Sequence, residues 1–221
     1  MRKILVVAAH PDDEVLGVGG TIARHVANKD NVHIVIMGEG VTGRVNGPQY
    51  DNTDLYHHAE AASKVLGAAS INFEKLPDQK FDTLPLIDLT RIVSKHIERV
   101  QPEIVYTHFN HDLNWDHKLT SEATLWACRP CYGCPVKEVY LWETPSSTEW
   151  SPKTTPFAPT IYRDITAFLD KKVEALQCYT GELRPYPHPR SPEGIKIVAQ
   201  YRGLEAGLKA AEALMPFRVI T

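Results

Sequence analysis

Two aliphatic runs, KILVVAA at 3–9 and VHIVIM at 32–37, bracket a helix-like segment from Val15 to Asn28. Both runs read as buried strands, because a strand covered on both faces is apolar at nearly every position. Strand, helix and strand in that order make a βαβ unit. Such a unit commits the chain to a parallel sheet with a right-handed crossover, and so to helices packed on the sheet.

The alternation continues along the chain. The pattern predicts a helix from Thr53 or Asp54 to about Leu66, a short strand at Ile71–Phe73 and a helix over Pro85–Val100. A strand at Glu103–Thr107, a helix from Asp116 to about Ala127 and a strand at Lys137–Trp142 follow. Beyond Trp142 the order loosens. Residues 143–160 are rich in Pro, Ser and Thr, and 160–165 read as an edge strand before a helix to Tyr179. A last helix is expected from Ser191 or Pro192 to about Leu214. The expected fold is α/β, a Rossmann-like three-layer sandwich with a mostly parallel central sheet. It forms one domain over 1–221, with a core at 1–142 and a C-terminal extension at 143–221 packed on it.

With 221 residues the chain can bury one sizeable core. A formal net charge of -3 and scattered basic residues argue against a nucleic-acid partner. No apolar run is long enough for a transmembrane segment. The start MRKILVVAAH resembles the opening of a signal peptide, but His10 and the acids at 12–14 cut it short, so it reads as a strand. Cys128, Cys131 and Cys134 are closely spaced while Cys178 is distant, which reads as reduced thiols rather than a four-ligand zinc module. A cytoplasmic location is the expectation.

The first strand ends in AHPDDE, one histidine and three acids in succession. Ligand sites in open parallel sheets form outside the carboxyl ends of the strands. Three loops share that edge: His10, Asp12, Asp13 and Glu14 on the first, Glu39 and Arg44 on the second, and His108 through His117 on the fourth. Crowded like charges are costly without a cation. Two imidazoles and one carboxylate match the ligand count of a catalytic zinc site with an open position, and a spare carboxylate beside it could move a proton. Taken singly, each residue has a plainer reading: His10 and His117 as hydrogen-bonded loop residues, Asp116 as a helix cap. The glycines of GVGG match no phosphate-binding fingerprint and read as sites of close helix packing.

AHPDDE at 9–14, the following LGVGGTIARH and the DH pair at 116–117 resemble the LmbE-like, or PIG-L-like, zinc-dependent N-deacetylases, as does the tail YRGLEAGLKAAEAL. The resemblance implies a hydrolase that removes an N-acetyl group from an amino-sugar conjugate of the N-acetylglucosamine type; a related amidohydrolase acting on a non-sugar N-acyl substrate is the alternative. It implies His10, Asp13 and His117 as metal ligands, Zn2+ as cofactor with Fe2+ as another fit, and Asp12 as general base. Many members carry a histidine three residues before the last ligand. Here that place holds Asn114, which can donate a hydrogen bond but carries no charge. Asn114, or His111 or His108 nearby, is therefore expected to stabilise the oxyanion. Arg44, and His188 and Arg190 in YPHPRS, are expected to bind substrate, with the tail folding over the site. Family members are often multimeric, so a homo-oligomer fits the resemblance.

Overall fold

The computed structural model describes residues 1–41, 52–131 and 133–221. Strand β1 (Lys3–Ala8) leads into helix α1 (Asp13–Ala27) and strand β2 (Asn31–Gly38). Then come α2 (Asn52–Leu66), β3 (Ser70–Leu76), α3 (Leu86–Val100), β4 (Ile104–His108), α4 (Trp115–Ala127) and β5 (Glu138–Trp142). The remainder comprises β6 (Ile161–Asp164), α5 (Leu169–Gln177), α6 (Pro192–Ala206) and β7 (Ala211–Val219). Among the described residues the strands form one sheet in the order β3-β2-β1-β4-β5-β7-β6. β1 to β5 run parallel, and β7 is antiparallel to both of its neighbours.

The alternation of side chains along β1 explains the three layers. Ile4, Val6 and Ala8 join a core with Leu16 and Ile22 of α1, Ala59 of α2 and Leu176 of α5. Leu5 and Val7 point the other way, onto Leu89 and Val93 of α3 and Ala123 of α4. Both faces are covered, so every β1 position after Lys3 is buried. The glycines of GVGG make close approaches. A Cβ on Gly17 would lie 2.2 Å from the Trp142 indole, and one on Gly20 would lie 2.8 Å from Ile165.

The tail departs from expectation. The last helix ends at Ala206, where Gly207 takes a left-handed φ of 70°. The chain then folds back, with Leu208 N–H donating to Gly203 C=O at 2.8 Å. Residues 211–219 become β7, inserted between β5 and β6. The extension therefore supplies two strands to the sheet as well as helices on its face. Strand order reverses between β1 and β4, since β2 lies on one side and β5 on the other. That reversal leaves a crevice at the carboxyl ends of β1 and β4.

Candidate metal centre and active site

β1 and β4 deliver their loops to this crevice side by side. Ala9 N–H donates to His108 Nε2 at 2.9 Å, which joins the two strand ends. The next residue, His10, donates its backbone N–H to Asp13 Oδ2 at 2.8 Å. The turn requires Asp12 at φ 104°, a left-handed conformation uncommon outside glycine. A cavity of about 530 Å³ opens here, and His10, Asp12, Asp13, Asn114 and His117 all line it.

Asp13 Oδ2 lies 3.4 Å from His10 Nδ1 and 3.3 Å from His117 Nε2. Each residue offers one ligand atom, and these atoms lie within 4.8 Å of one another. Tetrahedral ligands about 2.0–2.2 Å from zinc stand roughly 3.3–3.6 Å apart, so the spacing fits. The surrounding partners fit as well. His10 turns Nε2 to Asp116 Oδ2 at 3.0 Å and Asp78 Oδ1 at 3.1 Å. His117 turns Nδ1 to Asp112 Oδ1 at 3.1 Å. Carboxylates behind metal-binding imidazoles fix the ring so that the other nitrogen faces the ion. His10, Asp78 and Asp116 form a second ligand-type group. Asp116, however, already accepts from the backbone N–H of Gln79 at 2.7 Å and of Phe81 at 3.1 Å, which suits an orienting role.

The electrostatics of the cluster call for positive charge. Burial opposes protonation of His117, but Asp13 and Asp112 outweigh it and lift its pKa to about 9. His10 is likewise lifted well above its ordinary value, against burial, by Asp116, Asp13 and Asp78. Burial raises the Asp13 pKa, yet His117, His108 and His10 together hold it well below the usual range. A divalent ion would take the place of these ring protons.

Asp112 is fully buried and gathers the hydrogen bonds behind His117. Besides His117 it accepts from Asn114 N–H at 2.9 Å and from the hydroxyls of Ser147 and Thr148. Those hydroxyls belong to SSTEW in the extension. Thr144, just before it, accepts from His108 Nδ1 at 3.0 Å and from Trp142 Nε1 at 3.1 Å. Both ring nitrogens of His108 are thus engaged, and burial with the nearby His117 holds its pKa down to about 3. His108 therefore stays neutral, stacked on His117 with ring centroids 4.1 Å apart, and has no free N–H for an oxyanion.

The other expected residues are placed differently. Asp12 lines the cavity but belongs to neither ligand group. Burial raises its pKa well above the ordinary value, partly offset by Arg190, with Asp13, Glu182 and Glu14 adding to the rise. Arg190, expected on substrate, instead donates Nη1 to Asp12 Oδ2 at 3.1 Å and to Glu182 Oε2 at 3.3 Å. Asn114 lines the cavity and also caps α4, its Oδ1 accepting from Asp116 N–H at 2.9 Å. The helix begins at Trp115, one residue before the expected Asp116, because Asn114 caps it, and this frees the Asp116 carboxylate for His10. Engagement of Oδ1 leaves the Asn114 amide nitrogen as its uncommitted end. His111 is exposed, sets its ring edge-on to Phe109 and is absent from the cavity lining. His188 accepts from Arg190 N–H at 3.1 Å and packs at the edge of Trp150, outside the lining. Arg44 lies outside the described residues. Glu14 accepts from the Tyr179 hydroxyl and from Asp12 N–H, buttressing the turn from behind.

Residues 5–128 match the family described as PIG-L: GlcNAc-PI de-N-acetylase. A 4-oxalmesaconate hydratase of Pseudomonas putida is 30% identical over 213 residues, covering 82% of this chain and 74% of that protein. A protein of Bacillus anthracis named "Probable N-acetyl-alpha-D-glucosaminyl L-malate deacetylase 2" is 25% identical over 190 residues, with 82% and 81% covered. The solved structure of GalB, the 4-carboxy-2-hydroxymuconate hydratase of P. putida KT2440, superposes with a TM-score of 0.82 at 26% identity, covering 100% and 98% of the two chains. With the family's match spanning more than half of the chain and its fold shared throughout, this protein belongs to the PIG-L/LmbE-like deacetylase family.

Proposed function

We propose that the protein is a metal-dependent N-deacetylase acting on an amino-sugar conjugate, with His10, Asp13 and His117 holding the ion. Zinc is the working choice, and an N2O donor set also accepts Fe2+. When bound, the ion supplies Lewis acidity, polarising a carbonyl and making water nucleophilic near neutral pH. Asp12 accepts a proton from water as its oxygen bonds to the acyl carbon. Asp12 then returns that proton to the sugar nitrogen as the C–N bond breaks, giving acetate and a free amine. Arg190 holds Asp12 Oδ2, leaving Oδ1 for the water. The Asn114 amide is the group best placed in the lining to donate to the oxyanion. One observation carries this reading: a buried carboxylate stands beside a ligand trio without being part of it. A cytoplasmic location is part of the same proposal.

A second reading has a specific observation behind it. The 30% identical relative is named as a hydratase. The same base and ion would serve to add water across the double bond of an unsaturated carboxylate. The test is product analysis on metal-loaded protein. Deacetylation predicts acetate and a new primary amine in equal amounts from N-acetylglucosaminides. Asp12→Asn should keep its metal and lose about 10²–10⁴-fold in turnover. Wild-type turnover in Asp12→Asn, or loss of enoate absorbance with no amine formed, contradicts the proposal.

A further inference from the structure

The cavity lining holds four carboxylates, and each has a cationic partner. Asp13 faces His10 and His117, and Asp78 faces His10. Asp12 and Glu182 share Arg190. Arg184, the second arginine of the lining, has no carboxylate within ion-pair distance among the described residues. Its Nη1 donates to the carbonyls of Gly181 at 2.9 Å and Leu183 at 3.0 Å. These two bonds pin the guanidinium to its own turn and engage one nitrogen only. Among the described residues Nε and Nη2 make no hydrogen bond. Together they form the edge of the fork that grips a carboxylate or phosphate with two parallel hydrogen bonds.

Half-buried, held in place and without a counter-charge among the described residues, this guanidinium is preorganised for an anion. Arg190 cannot serve that purpose, being engaged by the base and Glu182. We infer that Arg184 is a specificity residue and that the substrate carries an anionic group, a carboxylate or a phosphate, beside the acylated amino sugar. This inference rests on the deacetylase reading. The anion is held by the extension while the acyl group reaches the trio at the ends of β1 and β4, so recognition and chemistry come from different parts of the chain.

The test compares wild type, Arg184→Gln and Arg184→Lys, all metal-loaded. The substrates are N-acetylglucosamine 1-phosphate, N-acetylmuramic acid and the neutral methyl N-acetylglucosaminide. Wild type should favour one of the two anionic compounds over the neutral one by about tenfold or more in kcat/KM, and which one it favours separates phosphate from carboxylate. Arg184→Gln should erase that preference chiefly by raising KM for the favoured anionic compound, with metal content retained and partial rescue by Arg184→Lys. An unchanged preference in Arg184→Gln, or equal slowing on all three substrates with a lowered Tm, overturns the inference and makes Arg184 a turn staple. A calorimetric titration with glucosamine 1-phosphate and methyl glucosaminide reads the anion contact without turnover. Loss of selective binding in Arg184→Gln with no acetate from any compound would sink the deacetylase reading alone. Acetate release with unaltered selectivity would sink the anion site alone.

Discussion

At His117 the two ring nitrogens have separate tasks. Nδ1 donates to Asp112, and Nε2 faces Asp13 across 3.3 Å. Without an ion the ring holds a proton up to about pH 9, because Asp13 and Asp112 overcome the cost of burial. A ligating imidazole must be neutral, so binding at pH 7 has to expel that proton. Apparent metal affinity should therefore climb as pH rises toward 9, with at least one proton released per ion. Calorimetry in two buffers of different ionisation enthalpy measures the release; no release at pH 7 would contradict this assignment. His10, Asp12, Asp13 and His117 are legible in the sequence, since adjacency within AHPDDE and the opening of α4 fixes their company. Arg190 on Asp12 is not. The two lie 178 residues apart, and nothing local to YPHPRS distinguishes an arginine that meets substrate from one that meets the Asp12 carboxylate.

The turn at 144–148 shows what an element adds to those residues. Thr144 fixes His108 beneath His117, while Ser147 and Thr148 saturate the carboxylate that orients it. Thr148→Val removes one donor from a buried carboxylate and loosens the imidazole it holds. Metal affinity should fall about 10–100-fold, read by competition with a chromogenic chelator, while Thr148→Ser stays near wild type. Equal affinity in Thr148→Val would reduce the turn to a linker. The β1-to-β5 pattern is legible because each of those parallel strands announces itself by local apolar periodicity. β7 is not, for a physical reason. LKAAEAL satisfies helical spacing as well as strand spacing, and the choice is made by β5 and β6, its distant hydrogen-bonding partners. Gly207 is the sole local sign, a residue suited to a left-handed helix end.

Across the whole molecule, the parallel sheet and the extension divide the work. The strand-order reversal between β1 and β4 sets two loops face to face and so assembles His10, Asp13 and His117 from segments about a hundred residues apart. The extension closes the cavity with Ser146, Ser147, Glu182, Arg184 and Arg190, and ties itself to the His117 ring through Asp112 and to Asp12 through Arg190. Among the described residues no helix is long and apolar enough to cross a membrane. The central claim is that an ion on the trio, with Asp12, cleaves an N-acyl bond. It is met most directly by assaying one preparation before chelation, after chelation and after zinc is restored, counting ions per chain, acetate and primary amine together. The account predicts one ion per chain, acetate and amine in equal amounts, loss of both on chelation and return of both with zinc. Undiminished acetate release from stripped protein, or water addition to an enoate with no amine formed by the zinc-loaded enzyme, would contradict it.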